Sequence, residues 1–327
     1  MPIWPGIRRR MPARTILITG AAGFVGGHLI AALTAALPEA RIVGTSLHGA
    51  PNLIPLDVTQ ADAVRALVAV EKPDVCFHLA GIAALGQARE NPGRAWTVNL
   101  QGSLNLADAI GAAAPRCRLV FVSSAEAYGA SFRTGEPLDE TAPLAPMNLY
   151  AATKAAADLA LGARVRDGLR LLRLRPFNHT GPGQSEAFVV PSFAGQIARI
   201  EAGLAPPELA VGALTPERDF LDIRDICDAY VRCAIRDEAL ADDEVLNLAS
   251  GYATRIGDLL QRLLAMSRVK ITVRQDTGRL RGAEIPKAVG NATKAWNLLG
   301  WTPKIPLEEM LASVLNTARH TSIVDVR

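Results

Sequence analysis

Tyr150 and Lys154 stand four residues apart in Tyr-Ala-Ala-Thr-Lys, and Ser124 precedes the tyrosine by 26 residues. On a helix, residues i and i+4 share a face, so the lysine ammonium can lie beside the tyrosine hydroxyl. That charge is expected to favour the phenolate and lower the tyrosine pKa towards working pH. Upstream, Gly20-Ala-Ala-Gly23-Phe24-Val25-Gly26 has the spacing of a loop that cradles a pyrophosphate. Together these parts can move a hydride between a nicotinamide dinucleotide and a carbinol carbon. In the reducing direction Ser124 would hold the carbonyl oxygen and Tyr150 would donate the proton. Lys154 would hold the nicotinamide ribose and ease charge on Tyr150. Any one of these residues has an ordinary structural reading, since a serine can cap and a tyrosine can pack. Their joint order is hard to reach by chance.

Glu126 in Ser-Ala-Glu-Ala-Tyr-Gly is chemically ambiguous. A carboxylate there can abstract a proton alpha to a ketone, bind a sugar hydroxyl, or anchor the loop carrying Tyr128 and Gly129. Tyr128 reads as a pocket wall or a second acid.

The elements that must position these groups alternate. Strands are expected at 15–19, 41–45, 53–56, 74–79, 118–123 and 169–174. Helices are expected after the glycine loop to about Leu37, and over 60–70, 93–113 and 149–168. Short apolar strands between helices call for an α/β fold, a doubly wound parallel sheet of Rossmann type. In that context Gly20 permits the tight turn, Gly23 admits the pyrophosphate to the helix start, and Gly26 allows close helix-to-sheet packing. Phe24 and Val25 supply the first helical amides. The second strand ends at Ser46 with no acid to clasp a ribose diol, which favours NADP(H) over NAD(H). Asp57 and Val58 would meet the adenine edge, although Asp57 can equally cap the next helix. Leu79, Ala80 and Gly81 end the fourth strand where small residues can lie beside a cofactor.

After Arg175 the texture changes, with Pro and Gly frequent in 176–183 and 203–216. Helices are expected near 188–202, 223–236, 255–266 and 306–317. The division is therefore a tail over 1–13, a dinucleotide domain over 14–175, and a smaller C-terminal lobe over 176–327. Segments near 219–236 and 245–250 are expected to return to the main sheet.

The 327 residues are 49% hydrophobic, enough for a large core. A net charge of +3 with scattered arginines gives no nucleic-acid footprint. Arg8-Arg9-Arg10 reads as part of a solvated tail, and Met11 is an alternative start. The apolar stretch after those arginines is shorter than a signal peptide requires, and no run is long enough for a membrane span. The four cysteines are widely spaced without metal-ligand rhythm, so no metal and a reduced, cytoplasmic setting are expected.

The chain resembles the extended short-chain dehydrogenase/reductases over residues 14–317. The matching features are the glycine loop, His78-Leu-Ala-Gly, Asn99-Leu-Gln-Gly, Ser-Ser-Ala-Glu-Ala-Tyr-Gly, Tyr-Ala-Ala-Thr-Lys, Arg175-Pro-Phe-Asn-His and Leu299-Gly-Trp-Thr-Pro-Lys. The stretches from Arg175 to Gln184 and from Glu217 to Asp222 are most similar to the GDP-6-deoxy-4-keto-D-mannose reductases. That resemblance implies NAD(P)H-dependent reduction of a GDP-linked 4-keto-6-deoxyhexose to GDP-D-rhamnose or a near relative. GDP-mannose 4,6-dehydratase activity with Glu126 as base is an alternative. An epimerase of UDP- or dTDP-sugars and a non-catalytic dinucleotide sensor stand further off. The resemblance also places Asn99 and Pro176 at the cofactor, and Ala125 and Asn178 at the sugar or diphosphate. Val189, Val190 and Arg199 would line the nucleotide base. Arg218 and Arg281 would meet phosphate, with Arg279 beside them and Glu284 on a ribose. It further implies a homodimer through the Tyr150–Lys154 helix and its neighbour. Met-Asn-Leu before Tyr150 departs from the usual Ser-Pro or Asn-Pro.

Overall fold

The computed structural model describes residues 14–279 and 285–324; the tail over 1–13 lies outside them. The chain runs β1 (Thr15–Thr19), α1 (Phe24–Ala36), β2 (Arg41–Ser46), β3 (Leu53–Pro55), α2 (Ala61–Glu71) and β4 (Val75–His78). It continues through α3 (Leu85–Glu90), α4 (Pro92–Trp96), α5 (Gly102–Ala113), β5 (Arg118–Val122), α6 (Leu149–Arg164) and β6 (Arg170–Pro176). Alternate strand residues face opposite sides, so two cores form. Ile16, Ile18, Phe77 and Val120 join one, while Leu17, Cys76, Leu119 and Phe121 join the other.

All seven strands of the main sheet are parallel, in the order β11-β6-β5-β4-β1-β2-β3, where β11 is Asp243–Leu248. The expected return of 245–248 to this sheet holds. Helices α2, α5 and α6 supply the second core. The long helix expected over 93–113 is broken, because a π-turn at Thr97–Gln101 separates α4 from α5. The helix expected over 149–168 stops at Arg164, and a 3-10 turn over Val165–Asp167 ends in left-handed Gly168.

Beyond β6 come β7 (Asn178–Thr180), α7 (Val189–Glu201), β8 (Glu208–Val211), β9 (Glu217–Arg218), β10 (Phe220–Asp222) and α8 (Ile223–Ile235). The remainder after β11 is β12 (Thr254–Arg255), α9 (Ile256–Ala265), β13 (Thr272–Gln275), β14 (Lys287–Ala288), α10 (Thr293–Leu299) and α11 (Leu307–Val324). The expectation that Phe220 onward rejoins the main sheet is corrected. β11 takes the β6 edge along its length, and β10 instead pairs in parallel with β7. Only α8 returns, packing Ile223, Ile226 and Tyr230 into the first core, where Tyr230 stacks on Phe77 at 6.0 Å. Helices α7, α9 and α11 build a third core from Phe193, Ile197, Leu259, Leu263, Leu311 and Leu315. Trp301, fully buried, donates its indole N–H to the Asp225 carbonyl, and the Asp225 carboxylate accepts Lys304 and Ile305 amides. The Gly-Trp-Thr-Pro-Lys segment is thereby tied to the first turn of α8.

Candidate active site

The strand order reverses between β1 and β4, so their carboxyl ends open a crevice there. Gly20 turns the chain at φ +70°, and a Cβ on it would stand 2.7 Å from the Ala80 nitrogen. Gly23 caps α1 without a side-chain bond, and no acid occupies the first turn led by Phe24 and Val25. Those amides and the positive end of the helix suit a pyrophosphate. A Cβ on Gly26 would stand 2.6 Å from Ala21 Cα, so its close contact is with the loop rather than a strand.

At the ends of β2 and β5 the buried hydroxyls of Thr45, Ser46 and Ser123 have no partner within the protein. Polar atoms buried in that way need a ligand's donors and acceptors. With the glycine cradle they fit a dinucleotide. Asp57 is committed locally, its Oδ1 accepting the Thr59 amide (3.0 Å) and hydroxyl (2.8 Å). Partial burial pushes its pKa up, but the Thr59 bonds win and hold it below the usual range. Val58 is buried and its carbonyl accepts the Asn105 amide at 3.0 Å. Pro176 ends β6 in a buried position.

The floor of the crevice is a directional hydrogen-bond chain. Burial, helped by the Lys154 charge, drives the His78 pKa down to about 3, so the ring is neutral. Ser103 donates its hydroxyl to the Asn99 carbonyl at 2.7 Å, so it must accept from His78 Nε2–H at 3.0 Å. His78 Nδ1 then accepts from Thr19 Oγ1 at 2.7 Å, which itself accepts the Ala80 amide at 3.2 Å. Asn99 Oδ1 accepts the Ile82 amide, while its Nδ2 donates to the Ile82 carbonyl and to Thr153 on α6. The segment Leu79-Ala80-Gly81 is thus fixed, and a Cβ on Gly81 would lie 3.6 Å from Lys154 Nζ.

Ser124, Tyr150 and Lys154 meet at the sheet edge. Ser124 caps the 3-10 segment Ala125–Thr134 by accepting the Glu126 amide at 3.2 Å, and hydrogen-bonds Tyr150. Asn148 caps α6 by accepting the Ala151 amide at 2.8 Å. Lys154 Nζ donates to the Val122 carbonyl at 2.8 Å and lies 5.2 Å from the Phe121 ring centroid. The expected lowering of the tyrosine pKa is corrected. Desolvation pushes Tyr150 up to about 12, opposed by the Ser124 bond and reinforced by the Glu126 charge. Desolvation likewise brings Lys154 down to about 8, with Asp158 opposing. Sequence spacing carries no measure of burial, and burial dominates both groups.

Sequence reasoning missed the support beneath this trio. Asp158, one turn after Lys154, is fully buried and accepts from Arg175 Nη2 (2.9 Å) and Nε (3.0 Å) and from Arg173 Nη1 (3.2 Å). Arg175 also donates to the Tyr128 hydroxyl, which in turn donates to Asn247. Tyr128 is therefore a buried structural ring, not a pocket wall. An acid at i+4 from the lysine was the available signal for Asp158.

The substrate side is less closely assembled. Glu126 and Arg218 are near enough for charge interaction, although burial lowers the Arg218 pKa more than Glu126 raises it. Arg218 also donates to the Glu217 carbonyl at 2.8 Å. Ala125 is buried behind the Glu126 turn. Asn178 lies in β7, half-buried. Val189 and Val190 open α7, and the Val190 side chain is spent in the third core. Arg199 is gripped by Glu186 through bonds of 2.6 and 2.8 Å, a pairing that the sequence did not suggest. Arg279 ends a 3-10 turn, while Arg281 and Glu284 lie outside the described residues. Among the described residues no cluster of acids, histidines or cysteines could hold a metal.

Residues 17–314 match the family model described as GDP-mannose 4,6 dehydratase. The chain is 36% identical to GDP-6-deoxy-D-mannose reductase from Pseudomonas aeruginosa, over 92% of this chain and 96% of that protein. The structure of RMD from Pseudomonas aeruginosa complexed with NADPH superposes with TM-score 0.82 at 33% identity, over 94% of this chain and 100% of that one. UDP-glucose 4-epimerase of Thermus thermophilus, solved in complex with NAD, superposes with TM-score 0.80 at 26% identity, over 93% and 99% of the two chains.

Proposed function

The chain belongs to the GDP-mannose 4,6 dehydratase family, and from that premise we propose that it reduces the 4-keto group of a GDP-4-keto-6-deoxyhexose. The product would be GDP-D-rhamnose or a close relative. The observation that carries this reading is the joined Ser124–Tyr150–Lys154 site in a chain 36% identical to GDP-6-deoxy-D-mannose reductase.

The dinucleotide supplies the hydride when bound. Gly20, Gly23 and the first amides of α1 would hold its pyrophosphate. We assign NADP(H) because β2 ends in a neutral, unpartnered Ser46, and because the Pseudomonas relative was solved with NADPH. Ser124 orients the ketone oxygen. Tyr150, whose raised pKa keeps it protonated, donates to the oxygen as it gains charge. Lys154 sits one turn along and stabilises the phenolate that remains. Asn178 and Arg218 would hold the sugar and diphosphate, with Val189, Val190 and Arg199 at the base side.

The domain division at Arg175 and a homodimer through α5 and α6 belong to the same reading. Leu159 on α6 is 60% exposed, an apolar side chain that a second copy would cover. No helix among the described residues is long and apolar enough to cross a membrane. Buried thiols at all four cysteines agree with a reducing, cytoplasmic setting.

Glu126 near Tyr150 is the one observation favouring dehydration as a second reading. Purified protein given GDP-mannose without reductant separates the two. The reductase leaves GDP-mannose unchanged and consumes NADPH only with the 4-keto sugar, whereas a dehydratase converts GDP-mannose itself.

A further inference from the structure

Glu126 is the acid that leaves reductase and dehydratase chemistry open, and its bonds say what it does in this chain. Its amide donates to Ser124 Oγ at 3.2 Å, fixing the turn that carries it. Its Oε2 accepts from Asn148 Nδ2, also at 3.2 Å. The same Asn148 side chain caps α6 through its Oδ1, which accepts the Ala151 amide at 2.8 Å. Asn148 stands two residues before Tyr150, in the Met-Asn-Leu segment that departs from the usual pattern. Both ends of one amide are therefore in use, one on the helix that carries Tyr150 and the other on the turn that follows Ser124.

The loop continues the same tie. Ala127 donates its amide to the Ser124 carbonyl, and Ala145 donates to the Ala127 carbonyl, so the approach to Asn148 lies against the Glu126 turn. A cap bond contributes about 1 kcal/mol, and one to a charged acceptor more. Those magnitudes are enough to fix where the first turn of α6 sits.

We infer that Glu126 is a positioning residue of the reduction: its carboxylate locks Asn148, and through that cap holds the Tyr150 hydroxyl against Ser124. This rests on the reductase reading. The Glu126 charge itself disfavours the Tyr150 phenolate, so its contribution to the reduction is the tie to Asn148 and not its charge. Tyr230 on α8 also interacts with Tyr150, Lys154 lies one turn along α6, and Arg218 on β9 faces Glu126.

The test compares Glu126→Gln, Glu126→Ala, Asn148→Ser and the pair Glu126→Ala/Asn148→Ser. Glutamine keeps an acceptor oxygen for Asn148, and serine keeps the helix cap but loses the donor. With the GDP-linked 4-keto sugar and NADPH, E126A lowers kcat by about 10- to 100-fold, as loss of a charged hydrogen bond would. KM changes little, and E126Q recovers most of that loss. N148S falls by a similar factor, and the double variant is no worse than either single. Amide hydrogen exchange of the ligand-free proteins, followed over residues 149–152, accelerates in E126A and N148S and not in E126Q. If E126Q is as inactive as E126A, or if the two single losses multiply, the inference is overturned. Unchanged exchange in E126A overturns it as well. Because the exchange needs no substrate, it decides the question even if the reductase reading fails.

Discussion

Lys154 reaches from α6 to the last residue of β5, its Nζ donating to the Val122 carbonyl across 2.8 Å. That bond pins the helix carrying Tyr150 to the carboxyl edge of the sheet. There Ser124 follows β5 and Gly81 follows β4. The lysine is both a structural pin and the cation of the site. Its ammonium is desolvated, the carboxylate whose charge acts on it is Asp158, and its reach sets where a ribose can lie.

Removing the proton donor is the first test of that arrangement. Tyr150→Phe should lower kcat by about 10²- to 10⁴-fold, the range of a positioned general acid. NADPH affinity, measured by fluorescence titration, should change little. A fall in affinity with kcat preserved would place the hydroxyl at the cofactor alone.

The pH dependence follows from the two groups in opposite ways. Tyr150 stays protonated to about 12, so it does not limit a reduction in the neutral range. Lys154 loses its proton above about 8, and with it the charge that stabilises the phenolate. The rate constant kcat/KM, which reports the free enzyme, should hold level below that point and decline as pH rises through it. Lys154→Arg, whose guanidinium stays charged, should move the decline upward even where its rate is lower.

Asp158→Asn tests the buried support. Arg175 and Arg173 would keep their charges beside Lys154 with no carboxylate between them. Breaking a buried pair of this kind costs about 3–5 kcal/mol, read as a lower denaturant midpoint. The decline of kcat/KM should also begin at lower pH, because the Asp158 charge no longer supports the lysine proton. Equal stability in the variant would show the pair to be incidental.

Cofactor choice turns on the end of β2. Ser46→Asp places a carboxylate where Ser46 now offers a buried neutral hydroxyl. Like-charge repulsion of several kcal/mol should weaken NADPH relative to NADH on the order of a hundredfold, measured as a ratio of dissociation constants. An unchanged ratio would move the 2′-phosphate contact elsewhere.

The sequence made some of this readable because the relevant interactions are local. The turn at Gly20, the N-terminal opening of α1, and the four-residue step from Tyr150 to Lys154 depend on chain geometry alone. So does the succession of short apolar strands and helices, which called for a doubly wound sheet. What it hid depends on contacts between distant segments. Lys154 was expected to acidify Tyr150, but desolvation by the surrounding protein pushes the tyrosine pKa up and the lysine pKa down. Arg199 read as a residue lining the nucleotide base, and the chain gave no sign of the Glu186 carboxylate that pairs with it. Phe220–Asp222 had the texture of a sheet strand, yet β11 had taken the β6 edge. Nothing near Asn148 in the chain says that Glu126 will meet it.

Hydride delivery to the sugar is the central claim, and an isotope reads it directly. Purified protein is given the GDP-linked 4-keto-6-deoxy sugar with NADPH deuterated at the nicotinamide carbon, and the product is examined by mass spectrometry and proton NMR. With both hydrogens at nicotinamide C4 replaced by deuterium, the account predicts one deuterium at the sugar C4 for each NADPH consumed, and loss of that signal in Tyr150→Phe. Conversion of GDP-mannose to its 4-keto product without NADPH, and no deuterium in the sugar when NADPH is supplied, would contradict it.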